Sequence, residues 1–303
     1  MEKKCQTIAN RPGTRRSPRV MTASRTATAR APRRAHSLTP KALLRALRKT
    51  LADHGVDVSA ALDQRGQLGA LESRAAGKPF PIQAHLRALI LAWLTGRRPW
   101  ARIGDHLDEL DRIFRHYDPR KLARLDAAVV AGRICALHCG NRGIHAQLGA
   151  LPWNLKQLKR IEREYGSLDD FVVSDEPLAV ARLLSRPGSP YKLEQVGLPI
   201  ALEYLRSVGV DLVKPTALVR HALGPERLGL HQGGSHAKRD AFAAVQALAD
   251  GAGLSATEVD SLFWLFCAPD QAAVCGSEPS CADCRLAPAC KEGLRRARGG
   301  RPR

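Results

Sequence analysis

With 303 residues, 44% of them hydrophobic, the chain is long enough to bury one or two substantial cores. Forty-eight Lys and Arg against 29 Asp and Glu give a formal charge of +19, which points to a polyanionic partner, nucleic acid first. No apolar run approaches a membrane span, and the basic N-terminus lacks the apolar stretch of a secretory signal, so the eight cysteines read as thiols or metal ligands rather than disulfides.

Residues 1–37 read as a disordered basic tail: positions 1–36 hold ten Lys or Arg and one acid, a local charge of +9, among Ser, Thr and Pro. A second basic tail, 291–303, carries +5, which leaves the middle of the chain only mildly basic. Such tails add salt-sensitive attraction to phosphate without sequence preference. The first is also Arg-, Ser- and Thr-rich like an organelle transit peptide, the alternative to a cytoplasmic, nucleoid-associated location, and Met21 is an alternative start.

From Ser37 the pattern changes. Thr39-Pro40 predicts a capped helix start, followed by Leu43, Leu44, Leu47 and Leu51 at helical spacing. A strong helix is predicted over 82–95, with Leu86, Leu89, Ile90, Trp93 and Leu94 nearly filling two faces. Further helices are predicted around 100–115, 120–136, 141–150 and 154–164, split by Tyr117-Asp-Pro119, Cys139-Gly-Asn141 and Leu151-Pro152. Residues 165–170 start another unit, and 185–190 is a loop. β-branched alternation is scarce and no fixed period repeats, so the fold reads as all-α.

Residues 191–224 read as a helix end, a tight Val196-Gly197 turn and a second helix burying Ile200, Ala201, Leu202 and Leu205. A glycine there lets backbone amides face a phosphate without a Cβ in the way, at a helix N-terminus that favours anions. One glycine between two helices is equally an ordinary helical corner. Gly209 then breaks the second helix, and Val213-Lys-Pro215 leads into a third.

Near the C-terminus, Cys275, Cys281, Cys284 and Cys290 follow C-x5-C-x2-C-x5-C, with Pro279 and Pro288 shaping the loop. Four thiolates within sixteen residues suit an iron–sulfur cluster or zinc, and spacing alone leaves the two close to level. Cys267, ending an apolar run, reads as a core cysteine. Cys135 and Cys139 lack two further ligands and read as structural; Cys5 has no role assigned.

From about Pro81 to Cys290 the chain resembles the helix-hairpin-helix DNA glycosylase superfamily, in its endonuclease III-like branch. The resemblance rests on HLRALILAWLTGRRPW (85–100), CGNRGIHAQ (139–147), EYGSLDDFV (164–172), the hairpin with its glycine-ended helix and Lys-Pro approach, and the cysteine loop. The loop is one residue short of the usual first interval. The resemblance implies a two-domain helical fold. Residues 38–80 join a cluster domain, 81–205 form a six-helix barrel ending in the hairpin, 206–274 continue the cluster domain, and 275–290 bind a [4Fe–4S] cluster. Double-stranded DNA would lie between the domains of a monomer, gripped at Gln195, Val196, Gly197 and Pro199. The activity implied is base excision repair, removing a damaged or modified base after flipping the nucleotide out of the stack.

The catalytic position departs from this pattern. Matching Lys214-Pro215 puts Thr216 where the catalytic aspartate belongs and Leu218 where a histidine is common. A threonine caps a helix or orients water but carries no charge. Asp211 is the acid nearest in sequence and the first candidate to replace it, with Glu203 and Glu194 on the hairpin behind it. Pro199 occupies the position of the lysine of bifunctional members, so no Schiff base forms there and base release without strand cleavage is expected. Trp93 matches a residue that fills the gap left by the flipped base, although a tryptophan on an apolar helix is more often core. His138, Asn141, Arg142 and His145 cluster at a turn that faces either DNA or plain solvent, and Arg285 is either a phosphate contact or a solvated arginine. The second expectation is a DNA-binding protein that keeps scaffold and cluster but has lost the acid.

Overall fold

Helix starts are written in the sequence as capping side chains. Thr39 accepts the Ala42 amide ahead of Pro40–Asp53, whose first residue is proline. Asp57, Asp118, Asp126, Ser167 and Ser255 do the same for Val58–Asp63, Pro119–Leu122, Ala127–Ala136, Leu168–Val172 and Ala256–Cys267. Each oxygen satisfies an amide that has no partner within its helix, worth about 1 kcal/mol per cap. The structure, a computed structural model, describes residues 38–96, 99–214 and 216–299. The expected tail 1–37 with Cys5, the last four residues of the second tail, and Pro215 lie outside these ranges. Among the described residues there are helices and no strand, so the chain is all-α, and no helix is long and apolar enough to cross a membrane.

Two hydrophobic cores organise these helices. Ile82–Leu94 is buried at His85, Leu86 and throughout 88–94. A helix apolar all round belongs at the centre of a core. It shares that core with side chains of Ala127–Ala136, Ile144–Tyr165, Pro177–Ser185 and Leu198–Ser207, and packs most closely on the last of these. The second core joins Leu43, Leu47 and Leu51 to Val219 and Leu223, to Val245 and Leu248 of Ala237–Ala252, and to Leu262, Phe263 and Phe266 of Ala256–Cys267. The chain therefore starts in the second core, builds the first and returns. The return comes after residue 205, because Val208, Val210 and Leu212 still belong to the first core and Val213 to the second.

The crossover depends on Gly209. Leu198–Ser207 ends before it, Gly209 takes φ +76, and a Cβ there would run into the Ala70 carbonyl of the helix Gln67–Ala75. That short helix touches both Leu198–Ser207 and Ala256–Cys267, so it bridges the two cores.

The expected break at Pro152 does not occur. Ile144–Tyr165 is one helix with the proline inside it. An interior proline costs about 3 kcal/mol, and the buried stripe of Leu148, Leu151, Leu155, Leu158 and Ile161 offsets it. Conversely, the helix expected over 100–115 divides into Ala101–Gly104 and Leu107–Ile113, and that over 120–136 divides where Asp126 caps a new start.

Candidate functional site

The helices Pro177–Ser185 and Leu198–Ser207 form a hairpin whose connection is held from inside. Asn154, fully buried, donates to Glu194 O at 3.0 Å and accepts the Glu194 amide at 2.8 Å. The Trp93 ring donates Nε1–H to Gln195 O at 3.1 Å, and Lys192 Nζ donates to Val196 O at 2.9 Å. The left-handed residue of the turn is Gln195, at φ 57, rather than Gly197, which is extended at φ −90 and caps the second helix. A Cβ on Gly197 would meet only Pro199 Cδ, at an ordinary 3.8 Å. The protein's own packing thus makes no demand for glycine there. Val196 is buried; Gln195, Gly197 and Pro199 are exposed.

Trp93 is not a plug for a base gap. It is 1% exposed and belongs to the first core. While its ring holds the hairpin, its carbonyl accepts from Asn141 Nδ2 at 2.7 Å, and Asn141 Oδ1 takes the Gly143 amide at 2.8 Å. One buried residue therefore positions both the hairpin turn and the turn at 139–143. Cys139, also buried, closes that second turn by donating to Arg102 O at 3.1 Å.

Both turns face one groove of about 990 Å³, lined among others by Arg102, Asn141, Arg142, Gly197, Pro199 and Lys214. His138 and His145 are exposed but are not among its lining residues. The groove shares Thr95, Pro99 and Lys214 with a cleft of about 410 Å³ that holds Arg65, Glu203, Arg206, Thr216, Asp260 and Trp264. Thr216 Oγ1 accepts the Val219 amide at 3.3 Å, capping Ala217–Leu223 while lining the cleft.

Asp211 has a different place. Its two carboxylate oxygens accept the Ala256 and Thr257 amides at 3.1 and 2.8 Å, at the start of Ala256–Cys267. It is exposed and lines a separate depression with Arg74 and Gly209, so it does not meet Thr216 in the cleft. The two residues line different depressions. Glu194 is likewise exposed, and its backbone serves the hairpin.

The carboxylates inside the cleft come from farther away in sequence. Glu203 is 4% exposed, ion-paired with Lys214 and bonded by Gln67 Nε2 at 2.8 Å, with Arg65 at 3.4 Å. Burial alone would push its pKa up, but Lys214, Arg65 and Arg206 together outweigh burial and hold it well below the usual carboxylate range. Arg65 itself lies over the Trp264 ring at 4.2 Å. Asp260 accepts from Arg206 Nη1 at 2.6 Å, and Arg206 Nη2 also reaches Thr257 O at 3.2 Å and Ser261 Oγ at 2.5 Å. Burial pushes Asp260 up to about 6 against the pull of Arg206.

The chain matches no family model, no curated protein and no solved structure. What it can do is therefore read from its own geometry.

The four cysteines of 275–290 line a single cavity with Arg227, Phe266 and Leu286. Short backbone bonds shape the loop: Cys275 N to Phe266 O at 3.1 Å, Ser280 N to Val274 O at 2.9 Å, and Lys291 N to Arg227 O at 2.9 Å. Arg285 is anchored to the first helix, its amide on Thr50 Oγ1 at 3.1 Å and its guanidinium on Asp53 at 2.5 Å. Cys267 is fully buried beside Cys275 and is not among the residues lining the cavity. Among the described residues no three His, Cys, Asp or Glu side chains gather as the ligands of one ion would. The donor set nonetheless suits a larger group with net negative charge. Four thiols share one mainly apolar wall, and Arg227, 7% exposed, lies against it with its Nη1 3.8 Å from Glu292.

A buried network that no motif announces braces the first core. His85 Nδ1 shares a 2.7 Å hydrogen bond with Tyr204 Oη, Asp169 lies 3.5 Å from His85 Nε2, and Arg74 holds Asp169 at 2.5 Å. Burial drives His85 down to about 4, against the attraction of Asp169. Between pH 6.5 and about 4 the unfolded chain thus binds a proton that the folded chain refuses, and stability falls as pH drops through that window. His85→Asn, which does not titrate, is expected to flatten this slope by up to about 3 kcal/mol relative to wild type. Urea unfolding of both proteins from pH 7 to pH 4.5 checks it, and parallel pH dependences would refute it.

Proposed function

We propose that the chain binds double-stranded DNA along the groove and releases a base from a nucleotide extruded into the adjoining cleft, without cutting the strand. This is the activity of the helix-hairpin-helix glycosylases that its motifs resemble. The observation that carries the reading is the convergence of the exposed Gly197–Pro199 end of the hairpin, the 141–143 turn and Lys214 on one basic groove that opens into the cleft of Thr216. Helix N-terminal amides at a glycine with open space around it suit a phosphate, and the arginines add charge. A stacked base is out of reach of any side chain, so a cleft beside the groove is what base removal requires.

Monofunctional chemistry follows from the amines present. Pro199 has none, and the ammonium of Lys214, which lines the cleft, is paired with Glu203. In the same reading Cys275, Cys281, Cys284 and Cys290 hold a [4Fe–4S] cluster with Arg227 offsetting its charge. The cluster supplies folding energy and a docking face rather than a step in base release. The competing reading, DNA binding without catalysis, is favoured by one observation: Thr216 uses its hydroxyl as a cap and has no carboxylate to offer.

Two assays test the proposal. Duplex DNA titrated by fluorescence anisotropy should bind with a steep salt dependence. Arg142→Gln should weaken it evenly across sequences and lower the log–log salt slope by about 1. Duplexes carrying a panel of damaged and modified bases should yield free base and intact abasic strands, with no borohydride-trapped adduct. Absence of DNA binding at low salt would refute the whole reading. Binding without base release would leave the non-catalytic one.

A further inference from the structure

We propose that Asp260 supplies the carboxylate missing at Thr216, acting through a water held in the cleft as the base of base release. The inference rests on the proposed glycosylase reading. Asp260 lies in the second turn of Ala256–Cys267, and folding brings it to the same cleft as Lys214 and Thr216.

The two buried carboxylates of this cleft are held differently. Glu203 is partnered by Lys214, Gln67 and Arg65, and stays ionised. Asp260, 2% exposed, has one oxygen on Arg206 and the Lys214 backbone amide drawing on the same carboxylate, while Oδ1 is buried with no side-chain partner among the described residues. Leaving a buried carboxylate oxygen without a partner is costly. Arg206 does not turn to relieve it, because Nη2 is occupied by Thr257 O and Ser261 Oγ. In this proposal the partner for Oδ1 is a water admitted from the cleft that Asp260 lines. The charged groups facing Asp260 are Arg206, Lys214 and Arg65. Burial outweighs them and leaves its titration near 6, where a general base is effective at neutral pH. A pair of acids pushed apart by their surroundings, one permanently charged and one able to exchange a proton, is the arrangement acid–base chemistry uses.

In the step itself, the oxygen of the water bonds to C1′ of the extruded nucleotide as the C1′–N bond breaks. The bonding pair leaves with the base, which takes a proton from solvent, and the proton of the water passes to Asp260 Oδ1. Asp260 then returns its proton to solvent. Glu203 stays charged throughout, held by Lys214 and Arg65.

The test is single-turnover base release by the full chain between pH 4.5 and 8, for wild type, Asp260→Asn and Asp260→Glu, with melting and DNA anisotropy measured alongside. Wild type should slow as pH falls below about 6. Asp260→Asn should slow release about 10²–10⁴-fold while DNA affinity stays within a few-fold of wild type. Asp260→Glu should keep part of the activity with a displaced pH limb. A wild-type rate flat from pH 5 to 7, or Asp260→Asn within tenfold of wild type, overturns the assignment and leaves the glycosylase reading standing. If Asp260→Asn does not fold, the glutamate variant decides, and an unmoved limb overturns it. A wild type that binds DNA but releases no base defeats the underlying reading, and this proposal with it.

Discussion

On the proposed cluster and DNA-binding reading, replacing Cys281 by serine is expected to leave a colourless protein without iron or labile sulfide and to abolish tight DNA binding. The loop 275–290 has little to fold it from within: two single-turn helices, Cys281–Asp283 and Ala287–Ala289, and a few backbone bonds. Yet Val274, Cys275 and Leu286 complete the second core, and Lys291–Ala297 follows directly. Metal ligation at structural thiolate sites is worth about 10 kcal/mol or more, the size of a whole domain's stability. Cys281 is half-buried, so exchanging its sulfur for oxygen removes a ligand with little lost packing. Visible absorption, iron and sulfide assays, thermal melting and DNA anisotropy make the comparison. A colourless wild type with stoichiometric zinc would sink the cluster assignment. A serine variant with unchanged melting and DNA binding would show that the thiols hold no structural group.

Glu203→Gln should destabilise the protein by about 3–5 kcal/mol, the cost of removing one partner from a buried ion pair. The amide preserves shape but leaves Lys214 and Arg65 facing each other without the charge that gathers them, with Arg206 close by. Because Glu203 ionises well below the usual carboxylate range, its contribution is complete above its unfolded value near 4.5 and disappears only in strong acid. The loss should therefore be full and constant at neutral pH. Adding Lys214→Met to the variant should recover part of it, since the orphaned ammonium goes too. Urea unfolding of the single and double variants measures this. A Glu203→Gln protein as stable as wild type would mean that water, not the ion pair, satisfies these charges.

Local chemistry made much of the fold legible. Capping oxygens, helical spacing and the glycine at 209 act over a few residues, so Thr39 and Gly209 announce the structure they make, while Asp126 caps a start that the helix expected over 120–136 ran through. Pro152 misleads for the complementary reason: its penalty is local, while the buried stripe that overrides it is tertiary. The candidate site is less legible. Asp211 is the acid nearest Thr216 along the chain, but a capping duty takes it to another surface. Glu203, named only behind Asp211, reaches the cleft on one helix, and Asp260, which nothing in the sequence marks, reaches it on another. Trp93 has the same pattern whether it plugs a gap or fills a core, and only burial separates the two. The cysteines, by contrast, are close enough in sequence for their spacing to bring them to one cavity.

The two hydrogen bonds made at Trp93 bear on the order of the groove. Its ring secures one wall of the groove and its carbonyl the other, and the residue sits in the helix around which the first core is built. Both walls are thus preorganised. If the groove takes a duplex as proposed, the duplex would find donors already aimed and would not have to freeze two loose loops, each of which would take back about 0.5–1.5 kcal/mol for every side chain immobilised.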